Sequence, residues 1–374
     1  MRRSTLRRAV GSALVDATSG RVPRLPDVPT APAELVTAAR FHRVAPLVAA
    51  SLPDGLGAVS EPLRDDRQQA AWHHLRVLAT LPRIARALAD VEWLTFKGPV
   101  LSETLHPVPG TRSYRDLDVL VAAGDLRRSC ERLLDAGFRV VASRDDLLNG
   151  EVTGEIEMIN EHGVLVDLHW SLVLSASLRR RYPIPTAELI GRSVPVRLGQ
   201  SEVRTFDATD TLLHLCHHAA RSGAARLIHL VDVDQAARRV IDWDTVTQRA
   251  GSWGTAPEVA LVLGRCRRTL DTPAPVGLRH ALGLSAAYGA LTASVDRAWP
   301  IPSVRRDASW PRLVARAAHP GAAATLAESA RNAVLGGVNR ARLPEPTQAR
   351  RVPATADEVE RYLTAVEVGA AGRR

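Results

Sequence analysis

The chain has 374 residues, 45% of them hydrophobic and 4% aromatic, with a formal charge of +9 and a pI of about 10.5. By length it holds about two or three domains with a sizeable core, and no apolar run approaches the roughly 20 residues that span a bilayer. Three widely spaced cysteines (Cys130, Cys216, Cys266) exclude a disulfide framework and a zinc pattern, so a soluble cytoplasmic protein is expected.

The opening "MRRSTLRRAVGSALVDATSG" starts basic, but its apolar part is weak and broken by Asp16, which predicts an amphipathic helix and not a signal segment. Residues 33–51 and 61–90 carry helical periodicity, so residues 1–90 form an N-terminal helical segment. The pattern then changes. "VEWLTF" (91–96) and "DLDVLV" (116–121) read as strands, "AGDLRRSCERLLDAGF" (123–138) as an amphipathic helix, and "RVVAS" (139–143) as a further strand. "GEIEMIN" (154–160) and "VLVDLHW" (164–170) alternate apolar and polar residues across "EHG", a β-hairpin pattern. The fold class is therefore α+β, with a small mixed sheet of four or five strands in a core over 91–206. From residue 207 to 374 the chain reads as a C-terminal helical domain, beginning with "DATDTLLHLCHHAARSG" and "ARLIHLVDVDQAARRV". Its last part is rich in proline and arginine, with helical stretches at 322–335 and 356–366 and a frayed end.

Asp116 and Asp118 stand two apart in a strand that otherwise reads Leu-Val-Leu-Val, so both carboxylates share one face. Paired carboxylates repel unless a cation lies between them, and oxygen ligands at this spacing suit Mg²⁺. Asp167 lies in a second apolar strand. Next to the first it makes a set of three acids able to hold two ions for in-line displacement at phosphorus. His169 shares the face of Asp167. Lys97 is the one lysine in the chain; every other one of the 49 Lys+Arg positions is arginine. It ends a strand, Gly98 after it permits close approach of backbone to ligand, and Pro99 suits the first turn of a helix, together an expected phosphate site. An ammonium is a compact charge that fits between phosphate oxygens where a planar guanidinium does not. Arg112 and Arg115 are further phosphate-binding candidates. His214 and His218, four apart on one helix face, are expected to touch an acceptor or support the site from behind. Asp232 reads as a helix-face acid, paired with Arg226 or His229.

At these residues the chain resembles a known group. "FKGPVLSETLHPVPGTRSYRDLDVLV" is similar to the Lys-Gly…Arg…Asp-X-Asp-X-Leu-Val signature of the uncharacterised bacterial nucleotidyltransferase family, within the DNA-polymerase-β-like superfamily. The likeness continues through "VLVDLHW" and the histidine-bearing helix, over residues 33 to 275. It implies Mg²⁺-dependent transfer of a nucleoside monophosphate from an NTP to an acceptor hydroxyl or other nucleophile on a small molecule or peptide. Asp116, Asp118 and Asp167 would be metal-binding and catalytic, and Lys97 and Gly98 phosphate-binding. One departure is that the wider superfamily has Gly-Ser where this chain has Lys97-Gly98-Pro99, with a longer connection to the first acid. A non-catalytic nucleotide- or partner-binding module of the same fold is the alternative, as is an RNA acceptor, which the positive charge favours and the few aromatics disfavour.

Overall fold

The computed structural model describes residues 3–52, 57–148, 152–298 and 352–371. Among them, five strands form one mixed sheet: β1 (Trp93–Phe96), β2 (Asp116–Val121), β3 (Arg139–Val140), β4 (Glu155–Ile159) and β5 (Leu165–His169), in the spatial order β1-β2-β5-β4-β3. β2 and β5 run parallel at the centre, and the other pairs are antiparallel. The architecture is the expected α+β one. The stretch 322–335, read as helical, lies outside the described residues.

Period-two alternation divides the sheet into an apolar face and a polar one. Leu117, Val119, Val166, Leu168, Ile156 and Met158 point one way. They are fully buried in a core with Leu81 and Ile84 of the helix Gly57–Ala87 and Leu133 of the helix Leu126–Asp135. Each such side chain contributes about 1.5–3 kcal/mol relative to exposure. Leu94, Phe96 and Leu120 point the other way, into a second core. That core joins the N-terminal helices, through Leu14, Leu35 and Val48, to the C-terminal helices, through Leu213, Leu230 and Val262. The acids at the start of β2 lie between sheet and C-terminal helices.

The β4–β5 turn is held by Asn160, whose Oδ1 accepts from the backbone N–H of His162 (3.0 Å) and Val164 (2.9 Å) while its Nδ2 donates to Thr80 Oγ1. A side-chain amide thus replaces a backbone turn and ties the hairpin to the long helix. A second hairpin, β6 (Val194–Leu198) and β7 (Ser201–Thr205), has no counterpart in the expected strands. β6 is mostly solvent-facing and contains Pro195, so its alternation is faint.

The helix Ala356–Ala371 returns to the sheet. Thr355 and Glu358 form a reciprocal capping box at its start. The buried Tyr362 hydroxyl accepts from Trp170 Nε1 (3.0 Å) and lies 3.0 Å from the carbonyl of Glu155. Tyr362→Phe is expected to cost about 1 kcal/mol in urea unfolding, the net worth of one buried hydrogen bond. A neutral result would show that this helix is not anchored there. No helix among the described residues is long and apolar enough to cross a membrane, and Cys130, Cys216 and Cys266 are free and buried.

Candidate active site

Strand register builds the site. The parallel pairing of β2 with β5 sets Asp118 opposite Asp167, and the antiparallel pairing of β5 with β4 sets His169 opposite Glu155. Laterally paired residues share a face. Asp116, Asp118, Asp167, His169 and Glu155 therefore line one cleft of about 360 Å³, with Lys97 at the end of β1.

Asp118 is the hub. It is only 1% exposed. Its Oδ1 accepts from Lys97 Nζ at 2.6 Å and from His169 Nε2 at 3.0 Å, and His169 Nδ1 lies 3.1 Å from Glu155 Oε2. Among the described residues its buried Oδ2 has no hydrogen-bond partner. Burial works against the ionised form, but Lys97 and His169 outweigh it and hold the carboxyl at about 2. Burial likewise opposes charge on Lys97 and His169. Asp118 and Asp116 outweigh it for the lysine, and Glu155 and Asp118 for the histidine, so both are raised. Asp116 is raised by burial and by Asp118. Among the described residues Asp167 has no ion-pair partner. Burial, with Glu155, Asp116 and Asp118 adding to it against the pull of His169, pushes it up to about 8.

The backbone requires Gly98 and strains Lys97. Lys97 sits at φ 54°, ψ −135°, a region costing a non-glycine residue roughly 1–3 kcal/mol. Gly98 has φ 22°, and a Cβ there would meet the Asp116 carbonyl at 3.0 Å and the Tyr114 ring at 3.3 Å. This tight crossing of strand end and β2 entry is what aims the ammonium at Asp118.

Three groups could hold a metal ion. Asp118, Asp167 and His169 each offer a ligand atom, all within 4.8 Å of one another. The orphaned Oδ2 of Asp118 fits a cation, because a buried carboxylate oxygen without a partner is costly. Asp116 lines the cleft but does not belong to this group; His169 takes its place.

The remaining expected residues separate. His214 and His218 line the cleft from the helix Ala208–Arg221, together with His217. Burial first, then the Lys97 charge, lowers both well below the usual imidazole value, so they are neutral. Among the described residues neither ring nitrogen of His214 has a hydrogen-bond partner, and its ring packs on Phe96. Arg112 is buried in a bidentate pair with Asp232, at 2.9 and 2.8 Å, and His106 also reaches Asp232, at 2.8 Å. Asp232 thus pairs with Arg112 and His106 and not with Arg226 or His229. The helix Leu227–Ala237 turns it inward, where it is 1% exposed. Arg115 is solvent-facing beside a smaller adjoining pocket. Glu155 and Arg43 join the surroundings unannounced. Glu155 had a signal, since "GEIEMIN" places acids at period two on the strand paired with Asp167 and His169.

No curated protein matches the chain. With the acids gathered at the mouth of a mixed sheet, one likeness carries weight: residues 29–271 match the family model described as uncharacterised nucleotidyltransferase, and the chain belongs to that family.

Proposed function

We propose that the protein moves a nucleoside monophosphate from an NTP to an acceptor hydroxyl or other nucleophile, with Mg²⁺ as the metal. The reading is carried by the register that sets Asp118 opposite Asp167 and leaves a buried carboxylate oxygen free to ligate. Asp118, Asp167 and His169 would hold one ion, and Asp116, on the same cleft, is the residue for a second. When bound, the ions supply Lewis acidity at the α-phosphorus and lower the pKa of the attacking hydroxyl. The protein's own residues do the rest. Asp167 takes the acceptor proton, Lys97 offsets phosphate charge, and the neutral histidines with Leu172 and Leu174 wall off solvent above the reacting atoms.

The test combines purified protein, Mg²⁺ or Mn²⁺, α-labelled NTPs and a panel of hydroxyl- and amine-bearing small molecules. Metal-dependent nucleotide binding and pyrophosphate release, both removed by EDTA, are expected. The ion pair between Lys97 and Asp118 favours a second reading, since it neutralises the hub without metal. In that case the protein binds nucleotide equally with and without metal and releases no pyrophosphate. Absence of nucleotide binding under all conditions sinks both.

A further inference from the structure

A smaller pocket of about 100 Å³ adjoins the acidic cleft and shares Lys97, Asp116, Asp118 and His218 with it. Its other wall is basic, formed by Arg43, Arg112 and Arg115. Arg112 is committed to Asp232. Arg43 and Arg115 are different: among the described residues neither guanidinium has an ion-pair or hydrogen-bond partner. Arginine is rarely left unmatched beside other arginines, because like charges raise the energy of each. Here burial, then Arg226, Arg115 and Arg112, hold Arg43 below the usual guanidinium value against the pull of Asp116.

Backbone supplies a separate argument. Four non-glycine residues have positive φ among the described residues, and two of them, Arg43 (57°) and Lys97 (54°), line this one pocket. Arg43 sits in the tight turn between the helices Ala31–Phe41 and Ala45–Ser51, where glycine would be unstrained. Strained side-chain-bearing residues concentrate where the side chain is used. The pocket is also too small for a whole nucleotide, since sites for drug-sized ligands run to about 300–1,000 Å³.

Resting on the nucleotidyl-transfer reading, we propose that Arg43 and Arg115 form a polyphosphate subsite that grips the β- and γ-phosphates of the NTP, while the acceptor enters the larger cleft. Charge sorts the two substrates. The larger cleft carries the carboxylates of Glu155 and Asp167, which repel a polyanion, beside uncharged histidines, with Arg221 also on its lining. The small pocket presents the guanidinium groups of Arg43 and Arg115, neither held in an ion pair among the described residues, and their planar forks suit phosphate oxygens. Lys97 and Asp118, common to both, mark where the α-phosphate lies. The acceptor oxygen forms a bond to the α-phosphorus, and its proton passes to Asp167. The bond from that phosphorus to the bridging oxygen breaks, and pyrophosphate leaves with the electron pair into the arginine pocket.

The probe is inorganic pyrophosphate, titrated calorimetrically against the full chain, with the matching NTP and nucleoside monophosphate in parallel. Arg43→Ala and Arg115→Ala are each expected to weaken pyrophosphate and NTP binding about 10–100-fold, the worth of a charge-assisted hydrogen bond. Monophosphate binding should change less than about twofold. Arg64→Ala, which removes the same charge from an exposed helical position, should leave pyrophosphate binding intact. Arg43→Gly relieves the positive φ, so it should melt no lower than wild type and still lose pyrophosphate binding, which separates the subsite from folding. Pyrophosphate bound equally by wild type and Arg43→Gly, bound by neither, or lost equally in Arg64→Ala overturns the subsite. Pyrophosphate held through Arg43 by a protein that transfers no nucleotide sinks only the transfer reading.

Discussion

Asp167→Asn is expected to lower nucleotidyl transfer roughly 10²–10⁴-fold, the range for removing a positioned proton acceptor, without weakening the fold. Asp118 is the more obvious target and the worse experiment. Lys97, whose side chain is 17% exposed, has Asp118 as its counter-ion. Removing that carboxylate leaves a mostly buried ammonium uncompensated, which costs about 3–5 kcal/mol and confounds activity with folding. Asp167 has no such dependant. Its carboxyl is pushed up to about 8 by burial and by Glu155, Asp116 and Asp118, so its charge is a liability in the metal-free protein. The linkage sign follows. A carboxyl whose folded value lies above its ordinary 3.8 contributes stability fully below that value and loses it as the pH rises through about 8. Asp167→Asn removes this slope, and in EDTA at pH 8 it should melt at or above the wild-type temperature. Added Mn²⁺ should raise the wild-type melting temperature by mass action and leave the variant nearly unmoved. A variant that keeps full turnover, or keeps the metal-induced shift, would remove Asp167 from the site.

The local half of this design was legible in the chain. β2 falls on residues 116–121 as read from "DLDVLV", and the β4–β5 hairpin lies across "EHG" because both strands alternate over most of their length. Lys97-Gly98 announced itself by composition and by a glycine that structure shows pressed against the Asp116 carbonyl. What stayed hidden was set by register and by long-range pairing. Whether Asp116 or Asp118 stands beside Asp167 depends on how β2 slides along β5, and a strand's own pattern is silent on a shift of two residues, which preserves every face. His169 gained its place among the ligating groups by that register. Arg112 looked like a phosphate ligand because its partner Asp232 is 120 residues away, on a helix whose inward face no local signal marked. Arg43 precedes the first of the acids by 73 residues, and its strained turn became visible only with coordinates.

The Asp232 pairing leads to the second large effect. Asp232→Ala is expected to cost about 3–5 kcal/mol in urea unfolding, because it strands the buried Arg112 guanidinium and removes the acceptor of His106 together. Asp232→Asn keeps the shape and one acceptor oxygen, so it should cost less. Burial opposes the charge on Asp232, but Arg112 and His106 outweigh it and hold the carboxyl well below the usual range. A depressed acid contributes stability that is present above its unfolded value, about 3.9, and lost as the pH falls through the folded one. The wild type should therefore weaken steeply in acid below about pH 4, and Asp232→Asn should show a shallower fall. A triad retained purely for stability should be replaceable by apolar side chains of similar volume at little cost or some gain. Arg112→Met combined with Asp232→Leu tests this by restoring much of the loss seen in Asp232→Ala. If the double variant folds well but binds pyrophosphate more weakly, the Arg112–Asp232 pair serves to shape the arginine pocket. If it folds no better than Asp232→Ala, the cost lies in packing around His106 and not in an unpaired charge.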